Sequence, residues 1–510
     1  MESEPLKIET PAEAGGITRK GVIAFVFALC CFAAAYLFVC LVPIDSSPLG
    51  FFVLTAAFYL VTAIAALLLG GRIRAVGVLA LVLGLVTAAY RLVHGSVSFD
   101  LFPVFVLSFL CYGLFAVSLF GNTGGGLGGA FLLDIVKGFV YMFTAFADFF
   151  VAVFRPEGTK RTPKKLLIAA AGIVISIILV LIVGGLLSFD AHFTELLPKL
   201  EIDDVLRVFL KLFLTVPIAA MTFSMLASSM KHKLGRMSRR ETVDGISEKT
   251  KVIPVLIIAL PIFSVLAVYV LFFVSQWAYY MCAFTGTLPE GYSFAEYARE
   301  GFFNLCVVAL INAVLIIVLS SFAGAKGKGG AAVVSILKIL LSLATLVLIA
   351  TAVSKMLIYI GAYDLTRDRL AVTVFLVFLA LAFLAVIVST VFKKVKAIPV
   401  IVVIACASLI AFSLVDTNRL IAKYNVDSYL GGNHANIDVA YLESDLGLSA
   451  VPELERLAEN AKDPDVKVAA GRAITNIRKE NSDLKWYEMS IPYRKARGTF
   501  DKSDKQRQLP

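Results

Sequence analysis

Glu296 and Glu300 stand four positions apart, so on a helix they share a face and could work as an acid/base pair. Arg299 lies between them and serves equally well as an ion-pair partner. Other charged and aromatic residues gather near the ends of apolar runs: Tyr297, then Lys355, Tyr359, Tyr363, Arg367 and Arg369, then Asn418, Arg419 and Tyr424. Arg207 and Lys211, one turn apart, follow the acidic run Glu201-Ile202-Asp203-Asp204. This mixture suits the binding of an anionic solute or lipid headgroup through charge-assisted hydrogen bonds. It suits covalent chemistry poorly. There is no Gly-x-Ser-x-Gly elbow, and His94, His192, His232 and His434 are scattered without ligand spacing. No catalytic residue, metal site or cofactor is expected.

Each candidate has a plainer use. Lys355 could snorkel to an interface, or reach inward to an anion or to Glu300. Arg207 and Lys211 make either a solvated helix entrance with ion pairs or part of a basic vestibule. Gln276, Asn304 and Asn312 lie in apolar surroundings, where hydrogen bonds between helices account for them. Trp277, Tyr279, Tyr280 and Tyr292 fit an interfacial aromatic belt.

These residues are positioned by a chain that is 59% hydrophobic and only 16% charged. The apolar residues fall in runs of the length that crosses about 30 Å of hydrocarbon, and helices satisfy their own backbone groups there. The fold expected is an all-α, polytopic membrane bundle of about eleven spans, near 21–43, 51–70, 75–93, 101–120, 166–187, 205–228, 252–282, 301–321, 333–360, 370–391 and 397–415. The first run reads as a retained signal anchor after a leader of residues 1–20. The seven cysteines lie in or beside apolar runs, which argues against a disulfide framework.

Charge sets the expected orientation. With the N-terminus in the cytoplasm of a bacterial-type inner membrane, the inner loops hold twenty-one Lys/Arg and the short outer loops five. The C-terminal tail then lies outside. The net charge of +10 belongs to the membrane part, because the tail from Asp416 carries equal numbers of acidic and basic residues. No nucleic-acid partner is expected. Residues 121–165 form an inner segment between spans 1–4 (21–120) and 5–11 (166–415). Its glycine-rich stretch 122–129 lacks the Gly-Lys-Ser/Thr ending of a phosphate loop and reads as a hinge. Ala130 to Phe154 puts Asp134, Lys137 and Asp148 in one narrow stripe, which suits a helix lying along the interface; two spans merging here is the alternative.

The tail is different material. Within residues 416–480, Leu446 to Ile477 reads as two amphipathic helices, with Leu448, Val451, Leu454 and Leu457 on one and Val466, Val468, Ala469, Ala473 and Ile477 on the next. Asp463-Pro464 separates them as an N-cap followed by proline at the first helical position. Residues 481–510 are polar and are expected to be a mobile or extended tail.

Three ordered stretches carry a family resemblance. They are Ser275-Gln276 through Leu288-Pro289-Glu290-Gly291 and Ala295-Glu296-Tyr297-Ala298-Arg299-Glu300-Gly301-Phe302-Phe303 to Asn312; Ser354-Lys355-Met356-Leu357-Ile358-Tyr359-Ile360 with Tyr363-Asp364-Leu365-Thr366-Arg367-Asp368-Arg369; and Asn418-Arg419-Leu420-Ile421-Ala422-Lys423-Tyr424-Asn425-Val426-Asp427-Ser428-Tyr429-Leu430 with Ile437 to Leu442 and Ala450-Val451-Pro452. Together they resemble the bacterial multi-pass family catalogued as domain of unknown function forty-one seventy-three, with its sister forty-one fifty-three, over residues 20–480 or so. Asp364 stands where that pattern favours glycine. The resemblance implies a membrane fold and no assigned reaction. Three functions remain open: an outward-facing vestibule that binds or moves a solute or lipid; a membrane anchor presenting 416–480 to an envelope or signalling partner; and, last, an envelope enzyme on a lipid-linked substrate. Membrane lipids are expected neighbours, and the oligomeric state is open.

Overall fold

The computed structural model describes residues 19–41, 47–95, 101–121, 123–124, 127–154, 202–231, 251, 253–275, 302–324 and 327–507. Apolar composition and intrahelical hydrogen bonding make nearly all of this helix. The first half contains α1 (Arg19–Leu41), α2 (Pro48–Leu68), α3 (Ala75–His94), α4 (Leu101–Leu119), α5 (Gly129–Thr144), α6 (Phe146–Phe154) and α7 (Ile202–Met230). The second half contains α8 (Val255–Ser275), α9 (Phe302–Phe322), α10 (Gly327–Tyr363), α11 (Arg367–Val391) and α12 (Ala397–Leu414). The tail adds α13 (Thr417–Leu430), α14 (Val451–Asn460), α15 (Pro464–Glu480) and α16 (Ile491–Arg507), with a run of single helical turns over residues 439–450.

Among the described residues nine helices are long and apolar enough to cross a membrane, and ten if the α5–α6 pair is one broken span. The nine match expected spans. The one near 101–120 is a helix with a shorter apolar stretch, Val104–Leu119, and the one at 166–187 lies outside the described residues. The lipid-facing character shows on α8, where Leu256, Leu271 and Val274 are 68–72% exposed. Aliphatic surface on that scale belongs in hydrocarbon. The protein is a polytopic helical membrane bundle.

Two apolar cores organise it. One joins α1–α7. The other joins α8–α11 to the tail helices without a break, so the tail is packed onto the bundle. α12 packs on both α3 and α11 and bridges the halves. α10, at 37 residues, is about 55 Å long, more than the hydrocarbon needs, and carries Tyr359 and Tyr363 toward the tail.

The α5–α6 segment departs from the interfacial expectation. Asp134 and Lys137 are fully buried against α4 and α7, while Leu132, Val136, Phe139 and Phe143 make the exposed face. A helix lying along an interface turns its charges to water; this one turns them inward. The close approach depends on glycine: a Cβ on Gly138 would sit 2.7 Å from the Gly113 carbonyl carbon of α4. The chain bends by 46° between Thr144 and Phe146. There Ser224 of α7 receives the Ala145 N–H at 2.9 Å and donates to the Tyr141 carbonyl at 2.7 Å.

The end of the tail is also corrected. Residues 491–507 form α16 rather than a mobile or extended tail, because Pro492, Ala496 and Phe500 recur every four residues and are buried. Three apolar residues in a polar stretch are too few to register in composition, yet they make one helix stripe.

Candidate functional site

Five chain segments meet at one end of the bundle: the last turn of α3, the first turn of α11, the α12–α13 junction, residues 440–448 and the end of α15. Between them is a cleft of about 1090 Å³. Local sequence explains the convergence. Gly95 adopts φ +79° and lets the chain leave α3, and Asp416 caps α13 by accepting the Arg419 N–H at 3.1 Å.

Asn418, 2% exposed, ties three of these segments together. Its Oδ1 accepts from Arg367 Nε at 2.9 Å, and its Nδ2 donates to the His94 carbonyl at 3.2 Å. The Arg367 guanidinium also donates to the Asp445 carbonyl. The Arg367 backbone N–H reaches the Tyr441 hydroxyl at 3.0 Å. Burial is the main cause that pushes the Tyr441 phenol above its usual range, with Arg367 acting in the opposite sense. His94 stacks on Tyr90 with ring centres 4.0 Å apart, and Phe412 extends the stack at 6.0 Å from Tyr90. Among the described residues the cleft lining includes Asp368, Glu443, Asp445 and Glu480 but one arginine, Arg367. The wall is acidic, not basic.

The second and third motif stretches do touch. Asn425 accepts the Leu365 N–H at 2.9 Å and donates to the Leu365 carbonyl at 3.0 Å. Arg369 sits 4.1 Å above the Tyr359 ring and donates to the carbonyls of Tyr363 and Asp364, closing the C-terminus of α10. Asp364 is the one non-glycine residue of positive φ among the described residues, at +66°. Its carboxylate meets His434 Nδ1, whose other ring nitrogen lies 2.7 Å from the Gly361 carbonyl. Left-handed backbone costs a non-glycine residue about 1–2 kcal/mol, and the His434 contact offsets it. Asp364→Ala is expected to lose about 1–2 kcal/mol in thermal unfolding by dropping the contact while keeping the strain. Asp364→Gly should regain most of that, and equal melting of the two variants would refute this account.

Other candidates are placed elsewhere. Arg419 faces Glu453 at 4.0 Å, in a cluster where Asp427 and Glu453 together raise the Arg456 guanidinium pKa. Tyr424 is exposed on α13 and does not line the cleft. Lys211 is half-buried on α7 and does not line the cleft; Arg207 lies earlier in that helix. Lys355 is 2% exposed, inward rather than snorkelling. Asn312 is buried and links helices, accepting from Tyr269 Oη at 2.7 Å and donating to Thr345 Oγ1 at 2.9 Å; Asn304 is exposed. Gln276, Tyr297, Arg299 and Glu300, with Glu296, lie outside the described residues.

A second polar cluster lies within the first core. Lys137 Nζ is 3.3 Å from Asp134 Oδ1, and Asp134 Oδ2 accepts the Gly124 N–H of the glycine-rich loop at 3.0 Å. Among the described residues no group of three His, Cys, Asp or Glu side chains is arranged to hold a metal ion. Nothing in the pattern along the chain signals that His94 and Tyr90 join the cleft, because they enter from a helix more than 300 positions away from Asn418.

The sequence model of a family described as "Domain of unknown function (DUF4153)" matches residues 31–457. The match falls on the sister named in the resemblance, and the number forty-one seventy-three is not supported. No curated protein and no solved structure is matched.

Proposed function

Because the chain belongs to the DUF4153 family, a description that assigns no reaction, we propose its function from the site itself: an integral membrane protein that binds or passes a polar solute or lipid headgroup through the cleft beside Asn418. The observation that carries this reading is the cleft of about 1090 Å³ with bundle helices on one side and the tail on the other. A cavity of that size is in the range of small-molecule sites. Its four carboxylates favour a ligand with a cationic group, and the Tyr90, His94 and Phe412 rings add faces that attract one. The excess of basic residues in alternate loops supports an outer position for the cleft, in a bacterial inner membrane with the N-terminus inside.

Native mass spectrometry of protein released from nanodiscs tests this. The wild type should carry a discrete adduct that is lost in the triple variant Asp368→Asn, Glu443→Gln, Glu480→Gln. No adduct, or the same adducts in both proteins, sinks the reading and turns attention to protein partners of the tail.

A further inference from the structure

Arg91 is a charge without a counter-charge among the described residues. It lies in the last turn of α3 and is 4% exposed, and its Nη1 makes no hydrogen bond. None of the ion pairs among the described residues includes it. A guanidinium stays protonated under all ordinary conditions. Burying one without a counter-charge costs several kcal/mol, and contact with an anion would offset that cost.

The surroundings say what kind. Arg91 follows Gly84 by seven residues and therefore lies on the same face of α3. That face meets α2, because a Cβ at Gly84 would collide with the Tyr59 hydroxyl. One turn before Arg91, Ala88 is buried with Phe51 of α2 and Val104 of α4, and Phe38 and Phe105 pack against them. Phe38, Phe51 and Phe105 are also the aromatic end of a narrow cavity of about 90 Å³ between α1, α2, α4 and α7. The rest of its lining is apolar apart from a few hydroxyls and one thiol. Two of those hydroxyls, Tyr59 Oη and Ser108 Oγ, are themselves buried without a hydrogen-bond partner.

We propose that this cavity and Arg91 together bind one phospholipid of the surrounding membrane, with an acyl chain between the helices and the phosphate on the Arg91 guanidinium. The two halves of the site match the two halves of such a molecule. A phosphodiester accepts the paired N–H groups of arginine, and only a lipid brings it attached to a chain that fills an apolar slot. The C-terminal end of α3 adds its own attraction for the arginine charge. The site lies on the α2 side of α3, whereas the cleft opens on the α12 side, and it stands whether or not the cleft binds anything.

The test uses the full chain in detergent micelles, titrated with dioleoyl phosphatidylglycerol in one arm and inorganic phosphate in the other, and read by native mass spectrometry and thermal unfolding. The wild type should take up a single lipid saturably and melt higher with it, and should not respond to phosphate. Arg91→Gln should weaken uptake about tenfold or more, the scale of one charge-assisted bidentate contact. Ala34→Phe, which fills the cavity from α1 and leaves Arg91 in place, should weaken it too. Without lipid, Arg91→Gln should melt no lower than the wild type, since it removes a buried unpaired charge. Equal uptake by all three proteins overturns the proposal. So does stabilisation of wild type and Ala34→Phe alike by phosphate alone, which would make this a free-anion site. A lower melting temperature of lipid-free Arg91→Gln also overturns it, because Arg91 would then have a partner within the chain.

Discussion

Lys137→Met alone is expected to destabilise the bundle by about 3–5 kcal/mol, the cost of leaving one member of a buried ion pair uncompensated. Both side chains of the pair are at most 1% exposed, so water cannot take over the charge of Asp134. The double variant Asp134→Leu/Lys137→Met should recover most of the loss, because it removes both charges from the core. It would stay below the wild type by about 1 kcal/mol, since the Gly124 N–H loses its acceptor. Unfolding in mixed micelles, following all three proteins, measures this. A single variant that loses less than the double would show that the pair is solvated.

Arg367→Met is expected to release the tail from the bundle. It removes charge-assisted hydrogen bonds to buried Asn418, about 1.5–3 kcal/mol, and to the Asp445 carbonyl, which is solvent-exposed and contributes less. A net loss of about 2–3 kcal/mol raises the open population some 30- to 150-fold. Limited proteolysis in the turn after α13, at Gly431-Gly432-Asn433, should accelerate by a similar factor. Arg367→Lys keeps the charge without the planar fork and should fall between. Unchanged cleavage in Arg367→Met would mean that the apolar contacts of Ile421, Val426 and Leu442 hold the tail without it.

Spans were legible because a long apolar run has one solution in hydrocarbon. Helical periodicity misled at α5, where Asp134 and Lys137 looked like a water-facing stripe. Periodicity shows that residues share a face and cannot say what that face meets. Gly113 and Gly138 held the missing information, but a glycine pair announces a helix crossing only once its partner is known. At the cleft, Arg367 and Asn418 stood out as polar residues at helix ends. Their roles did not, since arginines expected to face a ligand are engaged with Asn418, with the Tyr359 ring and with Glu453. Arg91 is one of the five basic residues of the short outer loops, and nothing in its neighbours along the chain foretells its burial.

The bend at Ala145 has a consequence for how the protein is made. Ser224, whose hydroxyl satisfies both the Ala145 N–H and the Tyr141 carbonyl, is encoded 79 and 83 positions later. When α5 and α6 leave the ribosome, their broken backbone has no such partner, and lipid supplies none. The bend therefore completes these contacts only once α7 is synthesised, which brings Ser224 and Ser228 to it together. Ribosome-bound chains stalled before α7 should accordingly stay associated with the insertion machinery, while chains that extend past it should partition into the bilayer.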